Sequence, residues 1–316
     1  MRRRCALALL LSIAAAHPVA ARCASDGSAA LQGCRAAASR PEGLRYQKAP
    51  LAQTAQGATT SVRELLQTAR DQIQRGDRPG ALESLRRARV LAPNSEEVLG
   101  ALAQVSLASR TLAPAITTLD GLTRMCPTVS QYHYLLGVAL MEGGDMLAAI
   151  ESLQQADRLE PERPLTLMAL GLAQNNRKAY TEAKRALLHA LDLEPDSTDA
   201  VAALAEAEAG LGELAPAEDH ARRALARATA HPTANLVMGI VLMKRERYGE
   251  ARDALEQAVA ANPDSPAAQY QLSLAYARLG DEANAKRHVE LYQQKLREAE
   301  ERMKTLRAAS SSERPR

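Results

Sequence analysis

Residues 130–163 read SQYHYLLGVALMEGGDMLAAIESLQQADRLEPER, and this block decides the fold. Its 34 residues suffice for two helices of three to four turns and two tight turns. Gly144-Asp145 marks the inner turn. Pro161 ends the second helix, because proline lacks the N–H and clashes with the preceding turn. The same block recurs in both directions, starting at Val62, Glu96, Ser130, Pro164, Thr198, Pro232 and Pro266.

The register is strict. Position 20 holds Ala81, Ala115, Ala149, Ala183, Ala217, Ala251 and Ala285. At about a fifth alanine this coincidence has odds of roughly 1 in 80,000 for one phase, which makes the repeat real. Position 8 is always small: Ala69, Ala103, Gly137, Gly171, Ala205, Gly239 and Ser273. Position 24 is Leu85, Leu119, Leu153, Leu187, Ala221, Leu255 and Val289, and Pro93, Pro127, Pro161, Pro195 and Pro263 stand at position 32. Small residues let paired backbones approach, while leucines fill the space between neighbours. One block cannot bury its apolar face alone, so stacked blocks share a continuous core. Block five, with Ala221 at position 24 and Thr229 in place of proline, is the weakest.

This pattern resembles the tetratricopeptide repeat family over Val62–Ala299, seven repeats without an insertion. The resemblance implies an all-α, right-handed helical-repeat solenoid of helix-turn-helix units. It also implies that the first helices line a concave face that binds peptides or partner helices. From Glu282 to about Ala309 nothing breaks the helix. Val289, Tyr292, Leu296, Ala299, Met303 and Leu306 form a seam on it, read as a C-terminal capping helix over the last repeat. The other reading is pairing with another chain.

Around the repeats, 1–21 reads as a cleaved secretory signal: basic Met1–Arg4, apolar Cys5–Ala16, then Val19-Ala20-Ala21 as the cleavage site. The apolar run is too short to span a bilayer. Residues 22–61 read as a flexible linker rich in Ala, Ser, Gly, Gln, Thr and Pro, and 300–316 as the end of the capping helix and a tail. Export permits disulfides. Cys23 and Cys34 either pair or stay free, and Cys126, before Pro127, reads as a plain turn residue. The Ala/Leu/Arg-rich composition points to a bacterial envelope, periplasmic or secreted.

Composition narrows the function classes. The chain has 40 Lys+Arg and 37 Asp+Glu, and the excess of three lies in Arg2, Arg3 and Arg4. A neutral remainder argues against nucleic acid as partner. The seven repeats leave no room for a separate catalytic domain. Gly210–Ala215 matches GxGxxA but follows no strand. Asp192, Glu194 and Asp196 alternate like a calcium loop but lack its glycine and final glutamate. His133, His189, His220, His231 and His288 are scattered. No catalytic residue, metal site, cofactor or small-molecule substrate is expected, and the chain reads as a monomer or weak homodimer without stable membrane insertion.

What remains is a surface. By the resemblance, positions 5, 9 and 12 face the groove. They bring Tyr134, Val138 and Met141 from repeat three, and Met168, Leu172 and Asn175 from repeat four. Repeat six adds Leu236, Ile240 and Met243, and repeat seven adds Tyr270 and Leu274. Repeat five is small and polar there. Met adapts to irregular partners and Tyr adds rigid area, so this stripe suits an apolar or helical segment. The alternative is that these side chains only pack on neighbouring first helices. The family's carboxylate clamp, Lys at position 5 and Asn at position 9, is absent. The expected function is an exported protein-interaction scaffold. The alternative is an accessory subunit of an envelope assembly, secretion or polysaccharide enzyme complex, held through the convex face or the C-terminal helix.

Overall fold

Between Val62 and Ala299 the helix boundaries follow the repeat register. The structure, a computed structural model, describes residues 51–312, with side chains placed for 61–306 and 308. The expected signal segment 1–21 and the question of Cys23 with Cys34 lie outside the described residues. The described chain is helical without a strand and forms two compact bodies, divided between Val129 and Ser130.

The N-terminal body holds repeats one and two: α1 (Leu51–Gln74), α2 (Arg78–Leu91), α3 (Glu96–Ala108) and α4 (Leu112–Met125). Helix α1 starts at Leu51, so residues 51–61 are helix and not linker. That stretch contains no proline and several good helix formers, and it extends a helix already nucleated by repeat one. The core packs Leu66 and Ala69 against Ala81, Leu85 and Ala88, then against Val98, Leu102 and Val105.

The C-terminal body holds repeats three to seven. Its helices are α5 (Ser130–Gly143), α6 (Met146–Leu159), α7 (Pro164–Asn176), α8 (Tyr180–Leu193), α9 (Thr198–Leu211) and α10 (Leu214–Arg227). They continue as α11 (Pro232–Lys244), α12 (Tyr248–Ala261), α13 (Pro266–Arg278) and α14 (Glu282–Ser312). Each helix packs on its pair-mate and on the next pair, and successive first helices touch. This is an all-α helical-repeat solenoid.

Local chemistry explains the boundaries. Ser95, Ser197 and Ser265 accept the backbone N–H of Val98, Ala200 and Ala268 and so cap first helices. Asp77 and Asp145 do the same for the second helices, through Gly80 and Ala148. Position 15, in the inner turn, is left-handed in all seven repeats: Gly76, Gly144, Gly212 and Gly280, but also Arg110, Lys178 and Glu246 at φ +58, +61 and +61°. The turn demands this conformation whatever the residue.

The small positions do what their spacing demands. Position-20 alanines are fully buried in repeats one to six. A Cβ on Gly137, Gly171 or Gly239 would lie 2.6, 2.5 or 2.4 Å from Cγ of Leu153, Leu187 or Leu255. Position 8 therefore meets position 24, and glycine there admits leucine opposite. In repeat five the pair is Ala205 and Ala221, both buried, joined by Ala217, Val237 and Val241.

Cys126 corrects its reading as a plain turn residue: it is disulfide-bonded. It caps the C-terminus of α4, donating its N–H to Leu122 O, and is buried. Spacing alone carries no sign of such a bond.

Candidate peptide groove

First helices place the predicted groove residues in three environments. Tyr134, Asn175 and Leu236 are buried. Tyr134 is 2% exposed, with the Arg163 guanidinium 5.5 Å from its ring centroid and a hydroxyl that has no partner. Burial pushes its phenol up to about 12, partly opposed by Arg163. Val138, Met141, Met168, Leu172, Ile240 and Met243 are half-buried. Met168 and Leu172 pack against a cluster of Ala183 and Leu187 of α8 with Ala200, Ala203, Leu204 and Ala207 of α9. Ile240 and Met243 pack on Ala268, Leu272 and Ala275 of α13. Tyr270 and Leu274 are the open pair, 43% and 37% exposed. The stripe therefore holds neighbouring first helices together and also keeps part of its surface in solvent.

Asn175 and Glu206 meet between α7 and α9. Asn175 Nδ2 donates to Ala203 O at 2.8 Å, while its Oδ1 is buried without a donor. Burial raises the pKa of Glu206 above its usual range, and the Asn175 amide partly lowers it. Tyr180 shares this neighbourhood: its ring covers Gly210, and the Glu206 charge adds to the burial that raises its phenol. In the sequence Glu206 is one more polar residue of repeat five, with nothing to mark it.

The other acids of repeat five are paired. Buried Glu208 contacts Lys184 Nζ at 3.7 Å and His220 Nδ1 at 2.7 Å. Lys184 also binds Glu213, and that hydrogen bond chiefly raises its pKa. Buried Glu218 binds Arg222 and, at 2.5 Å, Arg245 of repeat six.

The last helix covers repeat seven with its first half. Tyr292 lies 5.2 Å from Tyr270, His288 stacks on Tyr276 at 5.5 Å, and His288 Nδ1 is 2.7 Å from Gln269 Oε1. The seam then divides. Val289 and Leu296 are 37% and 39% exposed, whereas Met303 and Leu306 are half-buried. Helix α14 reaches α5, and a Cβ on Gly144 would lie 2.8 Å from Met303 Sδ. The cap thus extends back to the inner turn of repeat three.

Tetratricopeptide repeat family models match residues 130–163, which is repeat three, and 236–285, across repeats six and seven. A tetratricopeptide repeat protein from Parabacteroides merdae ATCC 43184 superimposes with a TM-score of 0.64 at 15% identity, over 78% of this chain and 99% of that one. The APC/C hetero-tetramer Cut9–Hcn1 gives 0.53 at 19% identity, over 70% of this chain and 48% of that one. These identities speak for the fold alone. No curated protein matches the chain. Residues 130–163 and 236–285 thus match tetratricopeptide repeats, and the fold is that of a tetratricopeptide-repeat solenoid. No helix among the described residues is long and apolar enough to cross a membrane.

Proposed function

We propose that this chain is an exported scaffold that takes up an apolar or helical segment of a partner protein on the inner face of its first helices. The observation that carries this reading is the stripe from Met168 to Leu274, which ends in the exposed pair Tyr270 and Leu274. Exposed aromatic and aliphatic side chains on a rigid helix suit a helical guest. Export is supported by the basic-then-apolar run of residues 1–21 and agrees with the disulfide at Cys126. The scaffold works by a preformed surface and not by catalysis.

The test is a crosslinking pull-down from an envelope fraction, comparing wild type with a Tyr270→Glu/Leu274→Glu variant. Tyr134 is too deeply buried for such a test, since a glutamate there would disturb folding. A partner held by wild type and lost by the folded variant supports the groove. Val289 and Leu296 favour a second reading, because they leave an apolar strip of α14 open. On that reading the chain is an accessory subunit of an envelope assembly. Capture that survives the groove substitutions and fails in Val289→Glu/Leu296→Glu would establish it.

A further inference from the structure

We infer that Asn175 and Glu206 form a docking point for a cationic side chain of the groove's occupant, a lysine or arginine borne on the partner's apolar segment. This rests on the groove reading above and deepens it.

The argument is one of missing donors. Asn175 is 4% exposed, and its amide nitrogen donates to Ala203 O and to the Glu206 carboxylate. Its oxygen is buried with nothing to accept from. A buried acceptor without a donor is destabilising, and native structures rarely keep one without a purpose. Beside it sits Glu206, half-buried, with no cation paired to it among the described residues.

Repeat five does not lack cations. Lys184 and His220 serve Glu208, Lys184 serves Glu213, and Arg222 and Arg245 serve Glu218. Glu206 stands apart from these pairings. Its position explains why: positions 9 and 12 belong to the inner face, where a charge can be matched from outside. With the Asn175 amide spent on Ala203 O and on Glu206, the carboxylate still lacks a counter-charge and the Asn175 oxygen a donor. An ammonium or guanidinium supplies both the charge that Glu206 lacks and several N–H groups. The apolar Met168 and Leu172 on α7 suit the alkyl stem of such a side chain, which packs along apolar surface while its head reaches the acid. Burial raises the pKa of Glu206, as befits an acid whose counter-charge is absent.

The experiment uses the full chain and two probes. The first is a pair of amphipathic helical peptides that differ only by lysine or norleucine at the centre. Wild type is expected to bind the lysine peptide about tenfold more tightly, with the advantage shrinking in salt. Glu206→Gln, checked for folding by circular dichroism, is expected to erase the difference. Equal binding of the two peptides, or a lysine preference that survives Glu206→Gln, would overturn the proposal and leave the groove reading standing. The second probe is n-butylammonium against n-butanol, read by the carbon-13 shift of the Glu206 carboxyl. The ammonium is expected to move that signal and the alcohol to leave it. If neither peptide binds while the ammonium moves the signal, the groove reading falls and the cation site stands. If the ammonium does not move it, the cation site falls.

Discussion

Arg245, at the end of the first helix of repeat six, reaches the buried carboxylate of Glu218 in the second helix of repeat five. Glu218 also binds Arg222 on its own helix. Repeat five has alanine where its neighbours have leucine, so charge supplements a thin apolar contact. Glu218→Ala should cost about 1–3 kcal/mol, less than a fully dry pair because both arginines keep contact with water. Glu218→Met should cost less than Glu218→Ala, since it refills the volume. Urea midpoints of the three proteins check both statements.

Lys178 and Glu246 hold left-handed backbone that a side chain disfavours. Lys178→Gly and Glu246→Gly should each stabilise the protein by up to about 1 kcal/mol, the strain relieved minus the extra freedom of glycine in the unfolded chain. Gly212→Ala should lower stability by a similar amount. Thermal unfolding of the single variants decides the signs.

The contact between positions 8 and 24 gives a compensating pair. Ala221→Leu should destabilise repeat five by about 1–3 kcal/mol, because Ala205 Cβ occupies the space leucine needs. Ala205→Gly/Ala221→Leu recreates the arrangement of Gly171 with Leu187 and should recover most of the loss. A double-mutant cycle on urea midpoints measures the coupling.

His288 makes the packing of α14 sensitive to acid. Burial holds its imidazole below the ordinary value, Arg287 adds to this, and Glu256 opposes it. Gln269 Oε1 accepts from it and the Tyr276 ring stacks on it. The folded state thus binds this proton less readily than the unfolded chain. The contribution is complete above the unfolded imidazole value, near 6.5, and is lost as pH falls through the lower folded value. Urea midpoints between pH 7.5 and 5 should fall more steeply for wild type than for His288→Gln.

Much of the fold was legible because each helix boundary repeats seven times. Ala81 or Ala217 alone says little, but seven alanines in one register fix helix pairing, turn and stacking together. The left-handed turn was legible at Gly76, Gly144 and Gly280 and hidden at Arg110, Lys178 and Glu246, whose residue types do not advertise it. Groove membership was less legible. Position 5 leaves Tyr270 exposed, yet buries Tyr134 under Arg163, because exposure depends on what the junction to the next repeat lays over it. Glu206 was visible as a residue, but its missing counter-charge appears only when the pairings around it are known. The meeting of Met303 with Gly144 depends on curvature accumulated over five repeats, which no local motif records.

That last contact changes the mechanics of the C-terminal body. Stacked repeats that touch only their neighbours deform like a spring, each junction yielding a little. A helix that starts in repeat seven and leans on repeat three acts as a strut across the coil. Tension on the body must unseat Met303 from Gly144 before repeats three and seven can part. The contact ties the two ends of the C-terminal body together, a closure that a purely linear stack lacks.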